Sequence, residues 1–338
     1  MTDPNPVSSV SPDVAIVVPT YNRADMVGDA IESVLGQTFS GRIELVVVDD
    51  GSVDHTRQAV ASYVERYQDP CQRVTIRYVH QANQKLSIAR NTGIAHTTAP
   101  FIAFLDDDDV YEPSMLERQL NEMRGPEVGF VHTSFRYVDQ NGRFRDDGPQ
   151  RLDNPCVGRC LDVLLDELLV VVSTVMVRRS TLLEAAAAEP HGQPFEPVWE
   201  RSEDYDLALR MARICKFAYV PQPLLRYRLH ENNIASSPTN QKRAFGYHCR
   251  AQLHFARRWG AEIGVDESDA RRRAANFLFG RTESMFWQRN LKMTRQLCDL
   301  ARELDLYDDR FAAVETRASR PAWIYSLKDR FDRVIGRA

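Results

Sequence analysis

Residues 14–50 read VAIVVPTYNRADMVGDAIESVLGQTFSGRIELVVVDD, and this stretch sets the fold class. Its two apolar runs, 14–20 and 43–50, lack the alternation of a half-exposed strand; one ends at a proline and threonine, the other at two carboxylates. Both have the character of strands buried on two faces. Between them Met26, Ala30, Ile31, Val34 and Leu35 recur at helical spacing. The segment therefore predicts a strand, a helix and a second strand parallel to the first. The alternation continues with a helix over 54–68, a strand over 73–79, a helix over 86–97 and a strand over 101–105. In such α/β sheets the ligand is held by loops at the carboxyl ends of the strands.

Three of those ends carry chemistry. The last strand runs into IAFLDDDDVYEP, residues 102–113. Adjacent carboxylates repel one another unless a cation sits among them. In extended chain Asp106 and Asp108 point the same way and Asp107 points away. Hard oxygens of this kind suit Mg²⁺ or Mn²⁺, which also accept phosphate oxygens. Taken alone, such a run is more often a solvated acidic turn, here before the helix near Pro113. The other two ends, Pro19-Thr20-Tyr21-Asn22-Arg23 and Asp49-Asp50-Gly51-Ser52, tip the balance: an aromatic face, acceptors for base and ribose, and a metal clamp together suit a nucleoside diphosphate. Neither a Gly-x-Gly-x-x-Gly nor a Gly-x-x-x-x-Gly-Lys-Ser/Thr loop is present, so dinucleotide cofactors and the ATPase phosphate loop are unsupported.

Further along, a helix over 114–124 opens at Ser114, a candidate cap. Residues 128–138 and 143–145 form a hairpin around Asn141-Gly142. A helix over 158–168, a strand over 170–178 and a helix over 180–189 follow. In SEDYDLALRMAR, Tyr205, Ala208, Leu209 and Ala212 share a helical face, with Glu203 and Asp204 in the first turn. Beyond Pro221 and Pro223, LLRYRLH predicts a strand ending at His230. The polar stretch ENNIASSPTN places a boundary near 237, after which the chain reads as helical.

The 338 residues, 43% hydrophobic and 27% charged, describe a soluble globular chain with a sizeable core. Residues 1–13 read as a disordered leader and not a secretory signal. Leu168–Val177 is too short and interrupted to cross a bilayer. Cys71, Cys156, Cys160, Cys215, Cys249 and Cys298 are scattered, as free thiols in a reducing cytoplasm would be. Residues 241–338 carry 20 Lys+Arg against 13 Asp+Glu, a net +7, leaving −11 for the rest of a chain whose total is −4. That cationic tail ends in WIYSLKDRFDRVIGR, with Trp323, Ile324, Leu327, Phe331, Val334 and Ile335 on one side of a helix. It fits an anionic membrane surface, or the commoner use of closing a core or a dimer.

In order, VVPTYNR, VVVDDGSVD, LSIARNTGI, FLDDDDVYEP, SEDYDLALR and YRLHENN resemble the family 2 glycosyltransferases of the GT-A fold, over roughly residues 14–236. The resemblance implies a Rossmann-like, mixed, mainly parallel sheet flanked by helices, with a nucleotide-sugar-binding half at 14–112, an acceptor-binding and catalytic half at 113–237, and a helical extension at 238–338. It implies inverting transfer of a sugar from a nucleotide diphosphate, UDP above others, to an acceptor hydroxyl on a glycan, a lipid-linked or a small molecule. No nucleic-acid partner is implied, and the expected location is cytoplasmic, with peripheral contact at the inner membrane face through the extension.

Carried over residue by residue, Pro19, Thr20 and Tyr21 line the base pocket, Asp50 accepts from the base edge with Asp49 in support, and Arg23 is the loop's cation. Arg90 faces phosphate or orders the acidic cluster. Asp106 touches ribose or metal-bound water, with Asp107 beside it; Asp108 ligates Mn²⁺ or Mg²⁺, joined by Asp106 and His230; Arg228 lies by the diphosphate. Asp204 is the general base and Glu203 orients it or binds acceptor. One departure stands out. Lys85 occupies a position where the family often has glycine, so either the loop differs or the lysine adds a phosphate contact. The Gln-x-x-Arg-Trp signature of processive synthases is absent, which favours single addition. A sugar nucleotidyltransferase would want a glycine-rich basic first loop, and a non-catalytic nucleotide-sugar binder would be expected to lack Asp204 or the clamp.

Overall fold

The computed structural model describes residues 11–67, 72–145, 155–167, 170–199, 201–230, 233 and 238–320. They divide into two compact units, Met1–Asn233 and Ile234–Ala338. In chain order the first unit comprises β1 (Val14–Thr20), α1 (Val27–Leu35), β2 (Ile43–Asp49), α2 (Thr56–Arg66), β3 (Val74–His80), α3 (Lys85–Ala95) and β4 (Phe101–Phe104). These are followed by β5 (Val110–Tyr111), α4 (Met115–Glu122), β6 (Val128–Val138), α5 (Leu161–Asp166), β7 (Met176–Arg178), α6 (Arg179–Ala187), α7 (Glu203–Ile214) and β8 (Lys216–Arg228).

The strands form one eight-stranded sheet in the order β3-β2-β1-β4-β7-β6-β8-β5. β1 runs parallel to β2 and β4, β2 to β3, and β6 to β8, while β7 is antiparallel to β4 and β6 and β5 to β8. Every residue of β1 and β2 is buried, as their unbroken apolar runs require. α1 turns Val27, Ala30, Ile31 and Val34 into the same core; each buried side chain the size of valine or isoleucine contributes roughly 1.5–3 kcal/mol. α3 lies so close to β1 that a β-carbon on Gly93 would sit 2.3 Å from Val17 Cγ1. The helix following the third strand is thereby pressed onto the sheet, and its first turns stand at the strand ends.

Three local expectations are corrected. Of 170–178 only Met176–Arg178 is strand, because Val172–Thr174 folds into a 3₁₀ turn. There Thr174 donates its hydroxyl to Val171 O at 2.6 Å, and Ser173 Oγ accepts the Asp106 N–H at 3.1 Å, the local competition with sheet bonding that Ser and Thr offer. The strand placed at 224–230 begins instead at Lys216 and passes through both prolines, ending at Arg228. Its register against β6 shifts beside Ser134, opposite Pro223, where the missing N–H cannot bond. β5 pairs with β8 only at Leu225 and Arg226. Ser114 does not cap α4, and its Oγ accepts from Arg118 Nε at 3.2 Å. The Asn141-Gly142 turn is present, with Gly142 at φ +76° and Val138 bridging Phe144.

The second unit is helical: α8 (Pro238–Ile263), α9 (Glu267–Trp287), α10 (Leu291–Glu303) and α11 (Asp309–Ala318). Asp266, Asn290 and Asp308 cap the last three through their side chains. Among the described residues no helix is long and apolar enough to cross a membrane. The described cysteines, Cys156, Cys160, Cys215, Cys249 and Cys298, are free and buried. Residues 1–10 of the leader, Cys71, Glu231 and Asn232 of the YRLHENN segment, and the amphipathic 323–337 segment lie outside the described residues.

Candidate active site

The aspartate run leaves the sheet immediately after β4. Asp109 donates its N–H to Asp106 O at 3.1 Å, so 106–109 is a turn and the alternation expected of extended chain does not hold there. The four side chains are held by several partners, one of them shared. Asp106 pairs with Arg90 at 2.7 Å, Asp107 and Asp108 share Arg23 at 3.8 and 3.9 Å, and Asp108 Oδ2 meets His230 Nε2 at 2.9 Å. Asp109 accepts the Arg228 N–H at 3.1 Å. Burial and then the charge of Asp108 push Asp107 up to about 8. Burial and the charge of Asp106 raise Asp108, and burial with both neighbours holds Asp109 well above the usual carboxylate range. The turn is short of positive charge.

That deficit is the test of fit for a divalent ion. Asp106 and Asp108 offer hard oxygens and His230 a nitrogen beside them, a set compatible with Mn²⁺ or Mg²⁺. Among the described residues no three His, Cys, Asp or Glu side chains are already gathered into a closed ligand cluster, so the fit is one of donor chemistry and charge.

The first two strand-end loops are laced together. Asn22, at φ +53°, donates its N–H to Ser52 Oγ and accepts the Val53 N–H at Oδ1, both at 2.9 Å, while the Arg23 N–H reaches Thr56 Oγ1 at 2.9 Å. Pro19 and buried Thr20 close β1, and Tyr21 beyond them is 47% exposed, leaving an aromatic side chain at the rim. Asp49 is fully buried and accepts from Ser52 N and the Tyr78 hydroxyl. Asp50 accepts from Gln81 Nε2 at 2.7 Å, Gln84 N at 2.8 Å and Lys85 N at 2.9 Å, so both of its oxygens tie down the loop before α3. Lys85 has φ +74°: the backbone takes the left-handed conformation that glycine would take most easily, and Asp50 holds it there.

The third component is the start of α7. Arg90 is 1% exposed, with one terminal nitrogen 2.7 Å from Asp106 Oδ1 and the other 2.7 Å from Glu203 Oε1. Burial works against its charge, but Asp106 and Glu203 more than offset this and raise its pKa. Asp204, half-buried, accepts the Tyr205 N–H at 2.8 Å, and burial followed by the Glu203 charge pushes it up to about 7. A carboxylate so tuned exchanges protons at neutral pH.

Arg228 braces the turn from its other side. Nε donates to Asp108 O at 3.0 Å and one terminal nitrogen reaches Asp29 Oδ2 at 2.6 Å. Beyond it lies a cavity of about 450 Å³ lined by residues that include Asp29, Glu32, Tyr111 and Arg226, with neither Glu203 nor Asp204 in its wall. The structure thus gathers Arg23, Arg90, Asp106–Asp109, Glu203, Asp204, Arg228 and His230 around one turn, with Asp49, Asp50 and Lys85 in the adjoining loops. Sequence reasoning missed Asp29, Ser173 and Phe195, which carry no motif; Asn91, within the quoted LSIARNTGI, had one.

A mixed sheet of this topology, with an acidic turn after its fourth strand and a carboxylate pair opening a facing helix, defines a GT-A glycosyltransferase. Residues 15–185 match the family model described as glycosyl transferase family 2, and the chain belongs to that family. A Bacillus subtilis glycosyltransferase provisionally assigned to teichuronic acid biosynthesis, TuaG, is 28% identical over 250 residues, spanning 72% of this chain and 90% of that protein. Among solved structures, S. aureus TarS 1–349 in complex with UDP-GlcNAc has a TM-score of 0.61 at 17% identity, covering 89% of this chain and 83% of that one. The mannosyltransferase PcManGT of Pyrobaculum calidifontis, in complex with GDP-Man and Mn²⁺, has a TM-score of 0.55 at 18% identity, covering 93% and 86%. At such identities these structures bear on the fold.

Proposed function

We propose that the protein transfers a single sugar from a nucleotide-diphosphate sugar, with UDP as the favoured nucleotide, to an acceptor hydroxyl with inversion at the anomeric carbon. The observation that carries this is the buried Arg90 bridge, which fixes the acid pair of α7 against the aspartate turn at 2.7 Å on each side. Direct displacement needs charge neutralisation at the leaving group and a base across the sugar from it, and the bridge ties the turn that would carry the first to the helix that presents the second. A divalent ion held by Asp106, Asp108 and His230 would supply Lewis-acid neutralisation of the departing diphosphate. Asp204 accepts the proton of the attacking hydroxyl, while Glu203, locked to Arg90, sets the start of the helix that presents it. Tyr21 offers its ring to the base, Asp49 and Asp50 shape the loop beneath it, and Arg23 and Lys85 supply cations on the phosphate side. The nucleotide sugars bound to TarS and PcManGT, and the Mn²⁺ with the latter, support a donor and cation of these classes. The name of TuaG supports a glycan acceptor in polysaccharide assembly.

A panel of UDP-, GDP- and dTDP-sugars with Mn²⁺, scored by thermal shift and slow donor hydrolysis, tests the reading. A UDP-sugar should stabilise the protein most, in a metal-dependent way; no shift with any donor would refute it.

A further inference from the structure

Two consecutive residues of α3 hold the segment leading into the acid pair, one at each end. Asn91 donates from Nδ2 to Phe195 O at 2.7 Å and accepts the Phe195 N–H at Oδ1 at 2.9 Å, a paired bond between a side-chain amide and the backbone. Arg90 holds the other end through Glu203. The Phe195 ring is fully buried, lies 5.3 Å from the Arg90 guanidinium, and meets Phe104, the last residue of β4, edge-on at 5.1 Å. Between the two anchors the chain makes turns, Trp199 N–H to Glu196 O at 3.1 Å and Ser202 N–H to Trp199 O at 2.8 Å, and passes through Arg201 at φ +70°. α3 has little room to shift, since Gly93 is pressed against Val17. The segment is therefore clamped to the helix that also holds Asp106, and its first anchor packs on the strand that delivers the aspartates.

We propose that Asn91 is a positioning residue for the transfer step: by fixing Phe195 it sets how the chain enters α7, and so where Asp204 stands relative to the aspartate turn. The inference rests on the reading of Asp204 as the base. Asn91 touches no candidate reacting group, so it acts through the backbone of Phe195 alone. Removing the amide leaves a buried N–H and a buried C=O without their partner and releases Phe195 from α3, while Arg210 of α7 still holds the preceding Pro194 O at 2.5 Å and Gln193 O at 3.4 Å. A displacement of about 1 Å at a reacting group can cost ~10²-fold in rate.

The test uses the full chain and slow hydrolysis by water of whichever panel donor is turned over fastest with Mn²⁺, which needs the base but no acceptor. Asn91→Ala should lower kcat roughly 10- to 100-fold, leave the donor KM within about twofold and keep the UDP-induced thermal shift. Asn91→Asp, which retains the acceptor for the Phe195 N–H, should fall between it and the parent. Hydrogen exchange of the Asn91→Ala protein should quicken at 195–205 and stay unchanged in α3. Parental kcat, a KM rise matching the kcat loss, or unaltered exchange at 195–205 would each overturn the proposal. Normal hydrolysis by Asp204→Asn would instead sink the base assignment, whatever Asn91 does.

Discussion

The two acidic clusters of the site are built alike and behave differently. Both are carboxylates removed from water at the ends of regular elements, and both lean on the same guanidinium. The turn at 106–109 packs like charges, and burial with mutual repulsion raises Asp107, Asp108 and Asp109 despite Arg23 and His230 nearby. The pair at 203–204 contains one carboxylate committed to Arg90 and one left half-buried near neutrality. The first cluster is suited to a cation and the second to a proton. A displacement reaction needs both, on opposite sides of the reacting carbon.

The sharpest way to break that contrast is Asp204→Asn. Turnover should fall by ~10²–10⁴-fold, the range for losing a general base, with donor binding by calorimetry unchanged. Next is Arg90→Met, which leaves buried Glu203 and part-exposed Asp106 without their shared charge; unfolding in urea should show a loss of about 3 kcal/mol, the lower end for breaking a buried pair. On the cation side, Asp108→Asn should weaken Mn²⁺-dependent donor binding at least ~10-fold, the loss typical even when a residue supporting a metal ligand is removed, and chelation of the parent should do the same.

The pH dependence separates the two roles further. As the proposed base Asp204 would act only when deprotonated, so turnover should climb with pH and level off above about 7. Its stability effect has the opposite sense. A carboxyl raised above its unfolded value of 3.8 stabilises the fold fully only below that value, and this contribution is lost as pH rises through about 7. At pH 8 Asp204→Asn should thus be more stable than the parent, by about 1 kcal/mol once partial exposure is discounted. The smallest expected effect is that of Lys85→Gly. Relief of the left-handed backbone should gain under about 1 kcal/mol, offset in part by the entropy of glycine, and a shift in urea midpoint would show it.

The sheet's first half was legible because β1, β2 and β4 are largely apolar runs and α1 has a clear helical periodicity. The second half was less so. Nothing local marks Val172–Thr174 as a turn until Ser173 is seen bonding the Asp106 backbone, and two prolines ordinarily argue against the strand they sit in. Within the site, motif order located Asp106–Asp109, Glu203 and Asp204, but not how they are held. The bond from Arg90 to Glu203 joins residues 113 apart in sequence, and that from Arg228 to Asp29 joins residues 199 apart. Such separations leave no periodic trace. Lys85 is a different case: the resemblance left open whether the loop differs there or the lysine meets phosphate, and neither alternative names the φ of +74° or the Asp50 bond that stabilises it.

β8 is the longest strand of the sheet; on its outer side β5 pairs with it at Leu225 and Arg226 and Gly158 bridges it at Phe217, which leaves the stretch 218–223 between them. An uncovered border of peptide groups is a template on which another polypeptide can add itself, the starting point of aggregation. Pro221 and Pro223 fall within this stretch, where neither can donate to an added strand and the register against β6 shifts. The same residues that obscured the strand guard this flank of the sheet against association with foreign chains while the protein folds.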